Sequence, residues 1–322
     1  MTSAGSTPPP WLDLGAGISR IDVGLHRTGD VAFYFLVEGG RAAFIDTGTF
    51  SALPRALEVL RAKGLTPEQV DFVIPTHVHL DHAGGVGAMM REFPSAKLVV
   101  HPRGARHMID PTQLFDGVAQ IYGPERAERQ YGKPIPVPAD RVIEAPDDFS
   151  LALNGRPLRF LDTPGHARHH FCVLDECSGT IFAGDTFGVS YREFDTAQGA
   201  FIFPTTSPVQ FEPDALHRSV DRLAALGPRQ ILLTHFGQVN EIPRLAADMH
   251  TVLDAFVRLG HRVRDTGADR QRLLMEGQHD ILLPRLRAHG CTLEEARVRS
   301  ILQHDYDLNA QGIGIWLDRQ AA

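Results

Sequence analysis

Three histidines and an aspartate fall within six residues, HVHLDH at 77–82, in a chain of 322 residues that carries 16 histidines in all. Imidazole nitrogen and carboxylate oxygen are the ligands that Zn²⁺ and Fe²⁺ prefer, so a run of this kind suggests metal chemistry. His77 and His79, two residues apart, project to the same side of an extended segment and can share one ion. Asp81 and His82 fall where the chain turns into a helix, displaced far enough to reach a second ion. Left unbound, four such donors would compete as polar and cationic groups in one small volume. Three further donors follow downstream: His166 in DTPGHARHH, Asp185 in IFAGDTF and His235 in ILLTHFG. Each comes directly after an apolar run, as donors converging on one sheet edge would.

Strands and helices must position these groups. ISRIDVGLH (18–26), VAFYFLVEGG (31–40) and RAAFID (41–46) read as successive strands, with Gly39 and Gly40 marking a hairpin turn. Leu53, Leu57, Val59 and Leu60 recur at helical spacing over 51–63, and Gly64 stops that helix. DFVIPT is a short strand that Pro75 helps to end, which puts the histidine run just past a strand terminus. GGVGAMMREF then predicts a helix over 83–93 and KLVVH a strand. About 104–140 reads as a Pro- and Gly-rich irregular excursion. Strands resume at FSLAL, RPLRFLDTP, HFCVLDE and GTIFAGD, with turns at Asn154-Gly155 and Ser178-Gly179; a helix over 213–226 and the strand QILLTH follow. From 244 the strand signal fades and periodic apolar positions (Leu245, Met249, Val252, Leu253, Phe256) predict helices, broken near 260–267 and 289–290. The expected organisation is an N-terminal tail (1–17), a catalytic domain (18–243) and a C-terminal helical extension (244–322).

Hydrophobic residues make up 43% of the chain and charged residues 22%, the balance of a globular protein with a sizeable core. The formal charge of −7 disfavours a broad phosphate-binding surface, and with it a nucleic-acid partner. The N-terminus lacks a basic stretch followed by an apolar one, and no run approaches the ~20 apolar residues of a membrane span. Three cysteines, Cys172, Cys177 and Cys291, form no CxxC pair. The expected setting is cytoplasmic, with a small-molecule substrate and no membrane; self-association into a homo-oligomer is left open.

FIDTGTF (44–50), THVHLDHAGG (76–85), DTPGHARHH (162–170), FAGDTF (182–187) and LLTHFG (232–237), in that order, resemble the metallo-β-lactamase superfamily, in the broad hydrolase branch that includes glyoxalase II and the lactonases. VVHPRGARHMIDPTQL is further similar to a subgroup of archaeal and bacterial members. The resemblance implies an α/β (α+β) fold, a four-layer αββα sandwich, over residues 18–240. It implies that His77, His79 and His166 hold one metal, that Asp81, His82 and His235 hold the other, and that Asp185 bridges the two. Asp46 matches a position that orients ligating imidazoles. The implied cofactors are two divalent ions, zinc foremost, with iron and manganese as alternatives.

Two such ions would share a bridging water as hydroxide nucleophile, with Asp81 and Asp185 as the catalytic carboxylates. The expected reaction is hydrolysis of an ester, lactone or thioester. A mononuclear-iron persulfide dioxygenase would use His77, His166 and Asp185 alone; a phosphodiesterase or nuclease would use the full set but is disfavoured by charge. The aromatic residues Phe187, Tyr191, Phe194, Phe201 and Phe203 are expected mainly in the core. Lactonases place an oxyanion-donating tyrosine near position 188 here, three residues before Tyr191. His169 and His170, close to His166, are candidates for supporting the ligands or lining the pocket, whereas His101 and His107 read foremost as strand-end surface residues, with pocket lining as the alternative. His217, His250, His261, His279 and His289 are expected on solvated helical faces, and His304, beside Asp305, Asp307 and Asn309, in a capping turn.

Overall fold

The computed structural model describes residues 10–321, so positions 1–9 of the expected tail lie outside the described residues. The chain divides into two compact units. The first holds residues up to Val100, Ala105–Glu144 and Ala152–Arg156; the second holds His101–Gly104, Ala145–Leu151 and Pro157 onward.

The first unit is built on a seven-stranded mixed sheet in sequence order. Strands β1 (Trp11–Gly15), β2 (Ile18–Asp22), β3 (Ala32–Glu38) and β4 (Arg41–Ile45) form an antiparallel meander. After helix α1 (Leu53–Ala62), β5 (Val70–Ile74) pairs parallel to β4. The short helix α2 (Leu80–Ala83) and α3 (Val86–Glu92) lead to β6 (Lys97–Val100), also parallel. Parallel strands need such helical crossovers, and their burial on both faces explains the continuous apolar runs in the sequence. Ala56, Val59 and Leu60 of α1 and Val86, Met89 and Met90 of α3 join Phe33, Phe35, Phe44 and Val73 in one core. Phe44 stacks on Phe93 at 5.3 Å between ring centroids.

The stretch read from sequence as irregular is instead mostly helical: α4 (Pro102–Ile109), α5 (Thr112–Tyr122) and α6 (Pro124–Tyr131) precede β7 (Val142–Glu144). Its prolines and glycines act as helix boundaries rather than breakers. Pro124 starts α6 at a position where a missing N–H costs nothing, and Gly123 and Gly132, both with positive φ, end α5 and α6.

Most of a six-stranded sheet, in the order β13-β12-β11-β10-β9-β8, belongs to the second unit. Here β8 is Ser150–Leu153, β9 Arg156–Asp162, β10 Phe171–Asp175 and β11 Thr180–Gly184. Helix α7 (Pro213–Ala225) is the crossover to β12 (Gln230–Leu233), parallel to β11, and β13 (Gly237–Val239) closes the edge. Asn154 and Gly155, both left-handed, make the turn before β9 as expected.

Helices α8 (Ile242–Val263), α9 (Arg270–Ala288) and α10 (Glu295–Ala321) form the C-terminal helical extension. They share their core with the sheet: Leu245, Ala246 and Met249 of α8 pack with Leu161, Ile181, Ile231 and Leu233. His304 lies inside α10, not in a capping turn, because the neighbouring aspartates face α9 and the loop after β11 and so satisfy their side chains without breaking the helix. His279 is buried rather than solvated, held by the Tyr306 hydroxyl and Glu295.

Candidate metal centre

In the first unit, the donors grow out of the ends of β4 and β5. Asp46, just past β4, adopts φ 57°, a left-handed conformation unusual for a side-chain-bearing residue. Its carboxylate accepts the Thr76 amide at 2.7 Å, the Thr76 hydroxyl at 2.9 Å and the His82 Nδ1–H at 2.9 Å. With its proton given to Asp46, the Thr76 hydroxyl oxygen accepts the Nδ1–H of His77 at 3.2 Å. One buried carboxylate thereby fixes the tautomers of two imidazoles and turns both Nε2 lone pairs outward.

His79 is the extended residue ahead of α2, and its Nδ1 lies 2.8 Å from His77 Nε2. Asp81 and His82 ride on α2, where Asp81 Oδ2 is 3.5 Å from His82 Nε2. Ligand atoms in each of the pairs His77–His79, His77–His82 and Asp81–His82 lie within 4.8 Å. The helix is anchored by Thr47, whose amide and hydroxyl both donate to the His82 carbonyl, at 2.8 and 2.7 Å. His77 and His79 thus precede the helix, and Asp81 and His82 lie on it.

In the second unit, each donor again follows a strand. His166 comes after β9 and Gly165, whose φ of +132° and close approach to Leu216 of α7 exclude a side chain. Asp185 comes after β11, and its two oxygens face different histidines: Oδ2 is 3.4 Å from His166 Nε2 and Oδ1 is 3.6 Å from His235 Nε2. His235 follows β12, and its carbonyl accepts the Ser190 amide at 2.6 Å. His170 supports Asp185 from behind. Its Nε2 accepts the Asp185 amide at 3.2 Å, while Nδ1–H faces the Thr163 and Thr186 hydroxyls at 2.9 and 3.1 Å. His101 Nε2–H donates to Asp162 at 3.1 Å.

Sequence reasoning placed His166, Asp185 and His235 but missed the Thr205 carbonyl, which accepts His166 Nδ1–H at 3.4 Å. A backbone acceptor has no residue signature. Among the aromatic residues after Asp185, Phe187, Tyr191, Phe194, Phe201 and Phe203 are all buried, as expected of core. The Tyr191 hydroxyl donates to Asp305 of α10, 3.1 and 3.2 Å from its two oxygens.

Both donor sets suit a borderline divalent cation: neutral imidazoles with lone pairs directed by carboxylate, hydroxyl and carbonyl partners, and carboxylates beside them. A family model described as the metallo-β-lactamase superfamily matches residues 27–235. The chain belongs to that superfamily. A metallo-β-lactamase fold-containing protein of Sulfurisphaera tokodaii is 28% identical over 181 residues, 54% of this chain and 63% of that protein. An acyl-coenzyme A thioesterase of Gallus gallus is 32% identical over 182 residues, 53% of this chain and 63% of the relative. The matched stretches thus span less than two-thirds of these relatives. A solved metallo-β-lactamase family protein of Thermus thermophilus aligns over 96% of both chains with a TM-score of 0.65 at 21% identity, which shows the fold, helical extension included. The α/β fold class expected from the sequence is therefore the one found.

Proposed function

We propose that the chain is a metal-dependent hydrolase of an acyl substrate, an ester, lactone or thioester. In this reading His77, His79 and His166 hold one divalent ion, and Asp81, His82 and His235 hold a second. The observation that supports it most is Asp185, whose two oxygens face His166 and His235 separately, as a carboxylate shared between two ions must. When bound, the ions supply a water acidic enough to act as nucleophile near neutral pH and a Lewis-acid contact for the acyl oxygen. Zinc fits the imidazole-rich set best; iron or manganese would also be accepted.

The chain's own residues supply orientation. Asp46 holds His82 directly and His77 through Thr76, and His170 holds the Asp185 amide. Asp81, with a quarter of its side chain exposed, can accept a hydrogen bond from the attacking water and pass its proton to solvent. The thioesterase named among the relatives supports an acyl substrate, and the −7 charge supports a small molecule over a nucleic acid. Free Cys172, Cys177 and Cys291 fit a reducing, cytoplasmic setting.

Metal analysis combined with a substrate panel tests the proposal. About two transition-metal ions per chain are expected, falling to about one in His82→Ala or His235→Ala, with cleavage of at least one ester, lactone or thioester. One iron per chain with oxygen-dependent persulfide oxidation and no acyl cleavage would replace the hydrolase with a dioxygenase. Phosphodiester cleavage alone would assign a nuclease.

A further inference from the structure

His166 is fully buried, and the direction of its imidazole depends on the Thr205 carbonyl that takes its Nδ1–H. Thr205 lies in Pro204–Ser207, a stretch without helix or strand, so no ladder of backbone hydrogen bonds aims that carbonyl. A buried side chain from far along the chain does so instead. Asn309 of α10 accepts the Thr206 amide on Oδ1 at 2.6 Å and lies 3.2 Å from the Thr206 hydroxyl; its Nδ2–H donates to the Pro204 carbonyl at 3.4 Å. The Thr206 N–H and the Thr205 C=O belong to one peptide group, planar and trans, in which they point in opposite directions. Gripping the N–H from the α10 side therefore turns the C=O toward His166. Gly312, one turn further along α10, lets the helix approach this closely, since a Cβ there would sit 1.5 Å from the Thr206 carbonyl oxygen.

We infer that Asn309 is a positioning residue for the metal centre, setting the His166 imidazole through the Thr205–Thr206 peptide plane. This makes α10 part of the centre's supporting structure although it contributes no ligand. The inference rests on His166 being a ligand, as proposed above.

The test uses the full-length chain stripped of metal and titrated with Co²⁺ against a chromophoric chelator, with the Co²⁺ visible spectrum recorded. Losing a partner that orients a ligating histidine typically costs 10–100-fold in metal affinity, so Asn309→Ala should weaken Co²⁺ binding on the order of tenfold and alter the spectrum. Asn309→Asp keeps the Oδ1 acceptor for the Thr206 amide but replaces the Nδ2–H donor to Pro204 with an acceptor, so its affinity should fall between those of the parent chain and Asn309→Ala. Leu286→Ala, a core cavity near the C-terminal end of α9, should lower stability but leave affinity unchanged. Should Asn309→Ala fail to fold, Asn309→Ser, too short to reach Thr206, takes its place under the same criterion. The inference is overturned if the Asn309 variant binds Co²⁺ like the parent while His166→Ala binds weakly, or if Leu286→Ala loses as much affinity as Asn309→Ala. Unchanged binding in His166→Ala would instead remove the proposed ligand set.

Discussion

Two carboxylates, Asp46 and Asp185, and one hydroxyl, Tyr191, show how far a residue's type can be read without its surroundings. Asp46 is buried and left-handed, a combination maintained only because three donors converge on its side chain. Its sequence context, a turn before glycine, shows none of this; resemblance to the superfamily pointed to it. Tyr191 goes the other way. The lactonase tyrosine would fall near position 188, three residues before Tyr191, and the Tyr191 hydroxyl donates instead to Asp305 of α10. The expected outcome for Tyr191→Phe is therefore a stability loss of about 2 kcal/mol, that of a hydrogen bond to a charged group, with kcat nearly unchanged. Paired denaturant melts and kinetics check this. A fall of ~10²-fold in kcat at unchanged stability would return Tyr191 to the oxyanion role. The proposed ligands were legible because each is a metal-binding residue type that follows an apolar strand, directly or, for Asp81 and His82, on the short helix next along the chain. Thr205 was not, since it acts through its carbonyl.

Periodicity carried most of the elements. β2 to β6 and β8 to β12 were readable from alternating or continuous apolar runs closed by glycine and proline. It failed where the same residues have two meanings: over 102–132, Pro102, Gly123, Pro124 and Gly132 bound helices rather than interrupt them. It also left the depth of the helical extension open. Leu245 and Met249 are 0% and 1% exposed within the core of the second sheet. Other links from the extension reach the loop after β11: Asp305 takes the Tyr191 hydroxyl, Asn309 holds Thr206, and the His289 carbonyl accepts the Thr196 hydroxyl at 2.6 Å. Truncation after Pro243 should thus give an insoluble or molten chain rather than a folded enzyme with altered KM, because deleting several buried Leu and Met side chains at ~2–5 kcal/mol each exceeds ordinary domain stability. Expression trials and near-ultraviolet circular dichroism decide it. A folded, metal-binding truncation product would show that α8 to α10 are dispensable to that core.

Under the proposed function, the distribution of donors along the whole chain would link metal binding to folding. His77, His79, Asp81 and His82 belong to the first compact unit, whereas His166, Asp185 and His235 belong to the second. If the proposed centre draws on all seven, only the folded chain offers the complete ligand set, and every bound ion stabilises it by mass action. An ion present at about a thousand times its dissociation constant contributes about 4 kcal/mol, enough to raise Tm by several degrees in a protein of this size. Chelation should therefore lower Tm by roughly 5–10 °C, and added Zn²⁺ should restore it. Protons compete for imidazole nitrogen and carboxylate oxygen, so the Zn²⁺-dependent part of Tm should shrink in mild acid as the ligands protonate. His77→Ala in the first unit and His235→Ala in the second should each remove a large share of the increment while leaving the metal-free Tm close to that of the parent chain. Scanning calorimetry with and without chelator reads all three effects. An equal Tm in the presence and absence of metal would mean that the folded chain binds no ion in preference to the unfolded one, and the proposed centre would fall.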